Sequence, residues 1–199
     1  MNRTATTLAL VFAATLSTFA AAPADAATYT IDPSHSEVSF VVRHFVSNVR
    51  GHFDDFTATI VKDEQDPSKS SVEFTVQVAS IDTGVEKRDN HLRSADFFDA
   101  ATYPTLTFKS RHVEKISDSQ YKVTGDLTMR GVTKVVPLTV DFAGEMPDGF
   151  GNVRAGFSTS TTIDRREFHV DWNRQLANGG YMLSDEVKVE INLEAVKQQ

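Results

Sequence analysis

The chain has 199 residues, no cysteine and a formal net charge of −7. Without thiols, cysteine nucleophiles and cysteine-ligated metals are excluded. The acidity argues against nucleic-acid partners and against electrostatic docking on an anionic membrane, both of which rely on clustered Lys and Arg.

The first residues, MNRTATTLALVFAATLSTFAAAPADA, carry one positive charge at Arg3, a small and apolar run from Leu8 to Ala22, and the small-x-small pattern Ala24-Asp25-Ala26. That order predicts a secretory signal over residues 1–26, cleaved after Ala26, which leaves 27–199 as one exported, periplasmic domain. A stable membrane anchor is the weaker reading, because the run is Ala-rich and short of the ~20 strongly apolar residues that spanning needs. The remaining chain of about 170 residues suffices for a sizeable core, and with no cysteine it must hold itself together by packing and hydrogen bonds.

From Glu37 the segment EVSFVVRHF places Val38, Phe40, Val42 and His44 on one face and Ser39, Val41 and Arg43 on the other, the period of a half-buried strand. A turn is expected at Ser47-Asn48. Extended structure resumes through VRGHFDDFTATIV, where Gly51 and Asp54-Asp55 suggest a bulge or bend. After the polar loop KDEQDPSK, SVEFTVQVA gives a clear alternation, with Val72, Phe74, Val76 and Val78 inward. Similar patterns recur in LTFKSRHV, YKVTGDLTM, VVPLTVDFAG, VRAGFSTSTTI and EVKVEINLEAV, the last with Val187, Val189, Ile191 and Leu193 inward. Turn signals separate them at Asp118-Ser119, Arg130-Gly131, Pro147-Asp148-Gly149 and Asn178-Gly179-Gly180. Roughly eight or nine such strands predict an all-β antiparallel sandwich or barrel, and the alternation disfavours a parallel α/β sheet. Periodicity alone does not choose between the two.

One stretch interrupts the pattern. After Asp82-Thr83-Gly84, the residues Val85, Arg88, Asp89 and Leu92 fall at helical spacing, which predicts a short helix of about two to three turns. A helix this short needs tertiary docking, expected through Val85 and Leu92. Arg88 and Asp89 then lie near the docked face, where each requires a polar partner.

Signals for catalysis are weak. The six histidines include no HExxH and no His-x-His, no GxSxG surrounds a serine, and no phosphate-binding glycine loop follows a strand. His44 and His52 lie on consecutive strands and could approach a metal with Asp54 or Asp55; the more ordinary reading makes His44 a hydrogen-bonded core residue and His52 exposed. Arg165-Arg166 beside Glu167 could grip an anion, although a solvated strand end is the simpler use, and Trp172 in HVDWN could line a site or close one end of the core, the latter being the simpler use. A hydrolase or isomerase using His44 as acid and base remains an alternative. Phenylalanines recur on nearly every strand, and an eight-stranded barrel has an interior that either fills with side chains or holds one small ligand. Composition leaves that choice open.

The stretches YTIDPSHSEVSFVVRH, GHFDDF, IDTGVEKRDNHLRSADFFDAATYPTLTFKS and GDLTMRGVTKVVPL, in this order, resemble the YceI-like family of bacterial lipid-binding or polyisoprenoid-binding proteins. FSTSTTIDRREFHVDWN matches the family's pattern only loosely. The resemblance implies an elongated, lipocalin-like antiparallel β-barrel whose apolar tunnel holds a long isoprenoid or related amphipathic lipid. It implies a non-catalytic binding protein with no cofactor or metal beyond the bound lipid, and a homodimer is a further expectation. Candidate tunnel residues are Phe40, Val42, Phe53, Phe56, Phe74, Val76, Phe97, Phe98, Phe108, Phe142 and Phe157. Candidate groups at the mouth are Arg43, His44, Arg88, Asp89 and His91. Under this reading the charged helix becomes a lid or plug, with Phe97-Phe98 leading from it into the lumen.

Overall fold

A computed structural model describes residues 26–177 and 179–199, so the expected signal, apart from Ala26, lies outside the described residues. Where apolar residues alternate, strands form: β1 (Ala26–Ile31), β2 (Glu37–His44), β3 (Ser47–Phe53), β4 (Phe56–Asp63), β5 (Ser71–Gln77) and β6 (Ile81–Asp82) precede the helix α1 (Glu86–Arg93). After it come β7 (Thr105–Ser117), β8 (Gln120–Met129), β9 (Val132–Pro147), β10 (Val153–Asp164) and β11 (Leu183–Lys197).

Pairing reduces these eleven described strands to eight long ones. The neighbours run β1-β4-β5-β7-β8-β9-β10-β11, and β11 returns to β1, which closes the ring. Beyond its contact with β1, β11 continues along β2, matching Val187 with Val42 and Ile191 with Val38. β2 pairs with β3, and β3 in turn with β6. Thus β1 with β2, β3 with β4, and β5 with β6 each act as one long strand broken by a bend, and the whole is an up-and-down antiparallel meander. Closure of this kind leaves few unpaired edges, and it decides for the barrel over the sandwich.

Each break has a local cause. Between β3 and β4 it falls at Asp54-Asp55, as the sequence suggests. Gly51 serves a different purpose: a Cβ there would lie 2.4 Å from the Phe40 ring, so the glycine admits that ring across the strand pair. The turn after β2 is not at Ser47-Asn48, which lie within β3; it is formed by Phe45 and Val46, with Phe45 in the left-handed region at φ 50°. Between β1 and β2, Asp32 accepts from the Ser34 amide at 3.0 Å, and His35 Nδ1 lies 2.9 Å from its other oxygen.

Arg154, on β10, fastens that break. Its guanidinium donates to Asp32 at 2.7 Å and to Glu194 on β11, and it pairs with Asp148 in the β9–β10 loop at 3.4 Å. The bond from Arg154, then that with His35, holds the Asp32 carboxyl down to about 2. Asp148 is likewise held down to about 2, first by the Asn152 side chain. A carboxylate lowered in the folded state contributes stability that is complete above its ordinary value near ~4 and is lost as pH falls through the lowered value. Melting temperature is therefore expected to fall between about pH 4 and pH 2, and Arg154→Gln should flatten part of that slope. An unchanged acid slope in the variant would remove the clamp from the explanation.

The interior is filled unevenly. On β4, β5 and β7 the inward residues Phe56, Ala58, Phe74, Val76, Leu106 and Phe108 are all less than a tenth exposed. On β2 and on β9 to β11, inward residues such as Val42, Leu138, Val140, Val187, Val189 and Ile191 are only half-buried, because their inner faces meet a void. A smaller cluster of Tyr29, Ile60, Ala155 and Ala195, with Phe142 and Phe157 against it, packs where β1 closes on β11.

Candidate functional site

The void is a cavity of about 650 Å³ running inside the barrel. That volume lies within the ~300–1,000 Å³ typical of small-molecule sites. It extends from Lys62, Ser70 and Phe157 at one end to His44, Lys87, Arg88, His91, Trp172 and Met182 at the other, and its wall between them is almost wholly apolar.

Of the expected tunnel residues, Phe40, Val42, Phe53, Phe74, Val76, Phe97, Phe98, Phe108 and Phe157 line this cavity. Phe56 and Phe142 do not. The Phe56 ring stacks on Phe74 with centroids 6.0 Å apart and is enclosed by its neighbours, which leaves it no face toward the void. Phe142 packs on Phe157 at 5.3 Å in the smaller cluster, beneath the Lys62 ammonium at 4.6 Å from its centroid. Residues that the sequence does not single out as lining include Leu92, Met129, Leu138 and Val189, while Trp172 takes the lining role, the less simple of its two readings. The β11 alternation marked Val189 as inward, but nothing in a strand pattern separates a lumen wall from a packed one.

Among the expected mouth residues, His44, Arg88 and His91 line the cavity, whereas Arg43 and Asp89 do not. Arg43 is one position out of phase with His44, so it faces outward, and its guanidinium donates to the Phe45 carbonyl at 2.7 Å. Asp89 is 5% exposed but turned to its own loop, accepting from the Thr83 amide at 3.0 Å and from the Thr83 hydroxyl.

Polar contacts dock the helix more than the expected apolar pair does. Leu92 packs on the core, but Val85 precedes the helix and is 47% exposed. Arg88 donates through Nε to the Thr83 hydroxyl at 2.6 Å and through Nη2 to the Thr83 carbonyl at 2.7 Å. Arg93 reaches the Ala79 carbonyl at 2.8 Å and that of Ile81 at 3.0 Å. His91 sets its ring edge-on to Phe97 at 5.0 Å and to Trp172 at 4.9 Å, with Asp96 2.9 Å from Nε2. Charged side chains thus supply donors to the backbone carbonyls of the segment that leads into the helix. The next segment is held from across the barrel, where Arg130 donates to the Ala95 carbonyl at 2.6 Å and Gly131 leaves room for the Tyr103 ring.

Among the described residues, Arg88 and Lys87 pair with no carboxylate, and the His44 ring has no hydrogen bond or ion pair. His44 does contact the Phe45 ring, at 4.6 Å. This end of the cavity therefore presents Lys87, Arg88 and His44 without a carboxylate partner among the described residues. At the other end Lys62, 7% exposed, is neutralised by Glu64 at 2.7 Å and Glu145 at 3.7 Å. The bond to Lys62 lowers the Glu64 carboxyl below its usual range.

Arg165 is neither a solvated strand end nor an open anion grip. It is 5% exposed, with donors engaged by the carbonyls of Ser184, Val170 and Trp172, while Arg166 pairs with Asp164 and Asp185. The metal grouping imagined around His44 does not form either, since His52 lies with Asp54 and Asp82 instead. A second grouping, Asp32, His35 and Glu194, already surrounds the Arg154 guanidinium.

Comparison with known proteins agrees with this architecture. Protein YceI of Escherichia coli O157:H7 is 39% identical over 195 residues, covering 96% of this chain and 97% of that protein. Among solved structures, BcnA of Burkholderia cenocepacia superposes with a TM-score of 0.73 at 28% identity, covering 82% of this chain and 98% of that one. The Campylobacter jejuni YceI protein gives 0.68 at 34% identity, covering 79% and 90%. A polyisoprenoid binding domain from Saccharophagus degradans shares the fold at a TM-score of 0.63 and 18% identity, covering 85% and 98%. The YceI-like domain model matches residues 29–195, and the chain belongs to the YceI-like family.

Proposed function

We propose that this protein is an exported, periplasmic, non-catalytic carrier that holds a long isoprenoid, or a related amphipathic lipid, in the barrel, with the polar head at the Lys87–Arg88 end. One observation carries the reading: a closed barrel encloses a cavity of about 650 Å³ that is apolar along its length and bears at one end Lys87 and Arg88, which have no carboxylate partner among the described residues. The polyisoprenoid-binding domain of the same fold supports it, and the Ala-rich N-terminal segment supports export.

Burying about fifteen methylenes gains nominally ~12 kcal/mol at ~0.8 kcal/mol each. Lost translational freedom and the ordering of a flexible tail offset much of this, leaving affinity in the micromolar to nanomolar range. Chain length alone discriminates weakly, so selectivity rests on the head. Among the described residues Arg88 Nη1 has no partner and suits a phosphate oxygen, while His44 suits a carbonyl. Among the described residues no carboxylate bonds to the His44 ring, which gives acid–base turnover no oriented partner there.

Protein purified from a bacterial host is expected to release an isoprenoid or acyl lipid into organic solvent, identified by mass spectrometry. Repeated absence of extractable lipid, together with no binding of quinones, polyprenyl phosphates or fatty acids, would sink the proposal.

A further inference from the structure

We propose that the tip of the β2–β3 hairpin, Phe45-Val46, is a membrane-docking element that sets the mouth of the cavity against a phospholipid surface. The inference rests on the lipid-carrier reading of the cavity and extends it to how the lipid enters.

The tip has the wrong chemistry for an ordinary turn. Tight turns between strands favour Asn, Asp and Gly, which tolerate positive φ. Here Phe45 adopts φ 50°, a conformation that disfavours a bulky side chain, and the next residue is valine. Val46 is fully exposed, and Phe45, which meets the His44 ring on one face, is still 42% exposed. Two large apolar groups held in water on a strained turn require another partner.

The tip is continuous with the cavity. Val42, His44 and Val49 on the hairpin stem form part of the cavity wall. Phe45 touches two lining residues, His44 through its ring and Met182 through a 2.8 Å bond from the Phe45 amide to the Met182 carbonyl. Val85, another lining residue, is 47% exposed, so apolar surface runs from the lumen toward solvent.

Local charge points to the same surface. The protein is acidic overall at −7, yet Val38 to Gly51 contains Arg43 and Arg50 and no carboxylate. Lys87 and Arg88 stand at the mouth with no carboxylate partner among the described residues. Apolar insertion flanked by cations is the recognition chemistry of an anionic phospholipid interface. Asp185 and Glu186 on β11 lie beside the hairpin stem, but Asp185 is already paired with Arg165 and Arg166, so the net charge of the whole molecule does not by itself decide the field at the tip.

The test compares Val46→Asp with Phe150→Asp in the purified protein. Phe150 is 92% exposed in the β9–β10 loop, toward the opposite end of β11, and serves as an equally solvent-exposed control. Vesicles of phosphatidylethanolamine and phosphatidylglycerol carrying tritiated polyprenyl phosphate are the probe. Val46→Asp is expected to lower co-sedimentation with vesicles and uptake from them by ~ten-fold or more, with uptake from detergent micelles unchanged and Phe150→Asp behaving as wild type. The proposal is overturned if wild type fails to sediment with vesicles, or if both variants lose the same amount. It is also overturned if Val46→Asp splits a dimer in sedimentation equilibrium while vesicle uptake persists, because the tip then serves a second copy of the chain. Failure of every form to take lipid even from micelles would instead refute the carrier reading, and co-sedimentation alone would then judge the docking surface.

Discussion

Val189→Trp is expected to leave the fold about as stable as wild type while lowering its lipid content by ~ten-fold or more. Val189 lies within β11, paired with Phe40 on one side and Thr161 on the other, and its side chain faces the cavity half-buried. In a packed core a larger side chain forces neighbours off their rotamers at a cost of ~1–3 kcal/mol. Here the indole enters space that no protein atom fills, so the change in urea midpoint should correspond to less than ~1 kcal/mol. The same indole occupies the path of the lipid tail. Phe74→Trp is the contrasting variant: Phe74 also touches the cavity but is 8% exposed and stacked on Phe56, so it should lose ~1–3 kcal/mol. Equal destabilisation by the two variants, with lipid content unchanged in Val189→Trp, would mean that the interior is packed.

Arg165→Met should produce the largest loss of stability, about 3–5 kcal/mol by urea denaturation. The guanidinium donates through Nε to the Ser184 carbonyl at 3.0 Å and through Nη1 to the Val170 and Trp172 carbonyls at 2.5 and 2.9 Å, and it pairs with Asp185 at 3.5 Å. Burial pushes its pKa below the usual guanidinium value, an effect the Asp185 and Asp164 charges oppose. Methionine fills the space yet strands three carbonyls, each costing ~1–3 kcal/mol when buried without a donor. Arg165→Lys keeps the charge without the fork and should recover only part of the loss. Since Val170 and Trp172 line the cavity, the methionine variant should also hold lipid less tightly. A midpoint within ~1 kcal/mol of wild type would show that the carbonyls find other donors.

These two residues mark the limits of what could be read from the chain. The period-two pattern of EVKVEINLEAV put Val189 on an inner face, because burial on one side of a sheet is recorded residue by residue. It could not say whether that face meets side chains or empty space, since both need the same apolar surface. Arg165 reads as one more charge at a strand end. Only the fold brings the carbonyls of Val170, Trp172 and Ser184 around it, and no spacing in RREFHVDWN announces them.

Local chemistry determined the elements themselves: alternating strands, the bend at Asp54-Asp55, the turn at Arg130-Gly131, and a short helix after Asp82-Thr83-Gly84. Such features depend on neighbours within a few residues, so sequence carries them directly. Ring closure, the merging of paired strand segments and the open lumen depend on which distant strands meet, and residue periodicity is silent about that. The stretch RDNHLRSADFFDAATYP shows both sides. Its helical spacing is visible in the chain, but its anchorage is tertiary: Arg93 on the carbonyls of Ala79 and Ile81, Arg130 on the Ala95 carbonyl, and the Tyr103 ring over Gly131. Hydrogen bonds and ring contacts between segments far apart in sequence exist only once the barrel has closed, and they set the helix, with Lys87 and Arg88, at the mouth of the cavity.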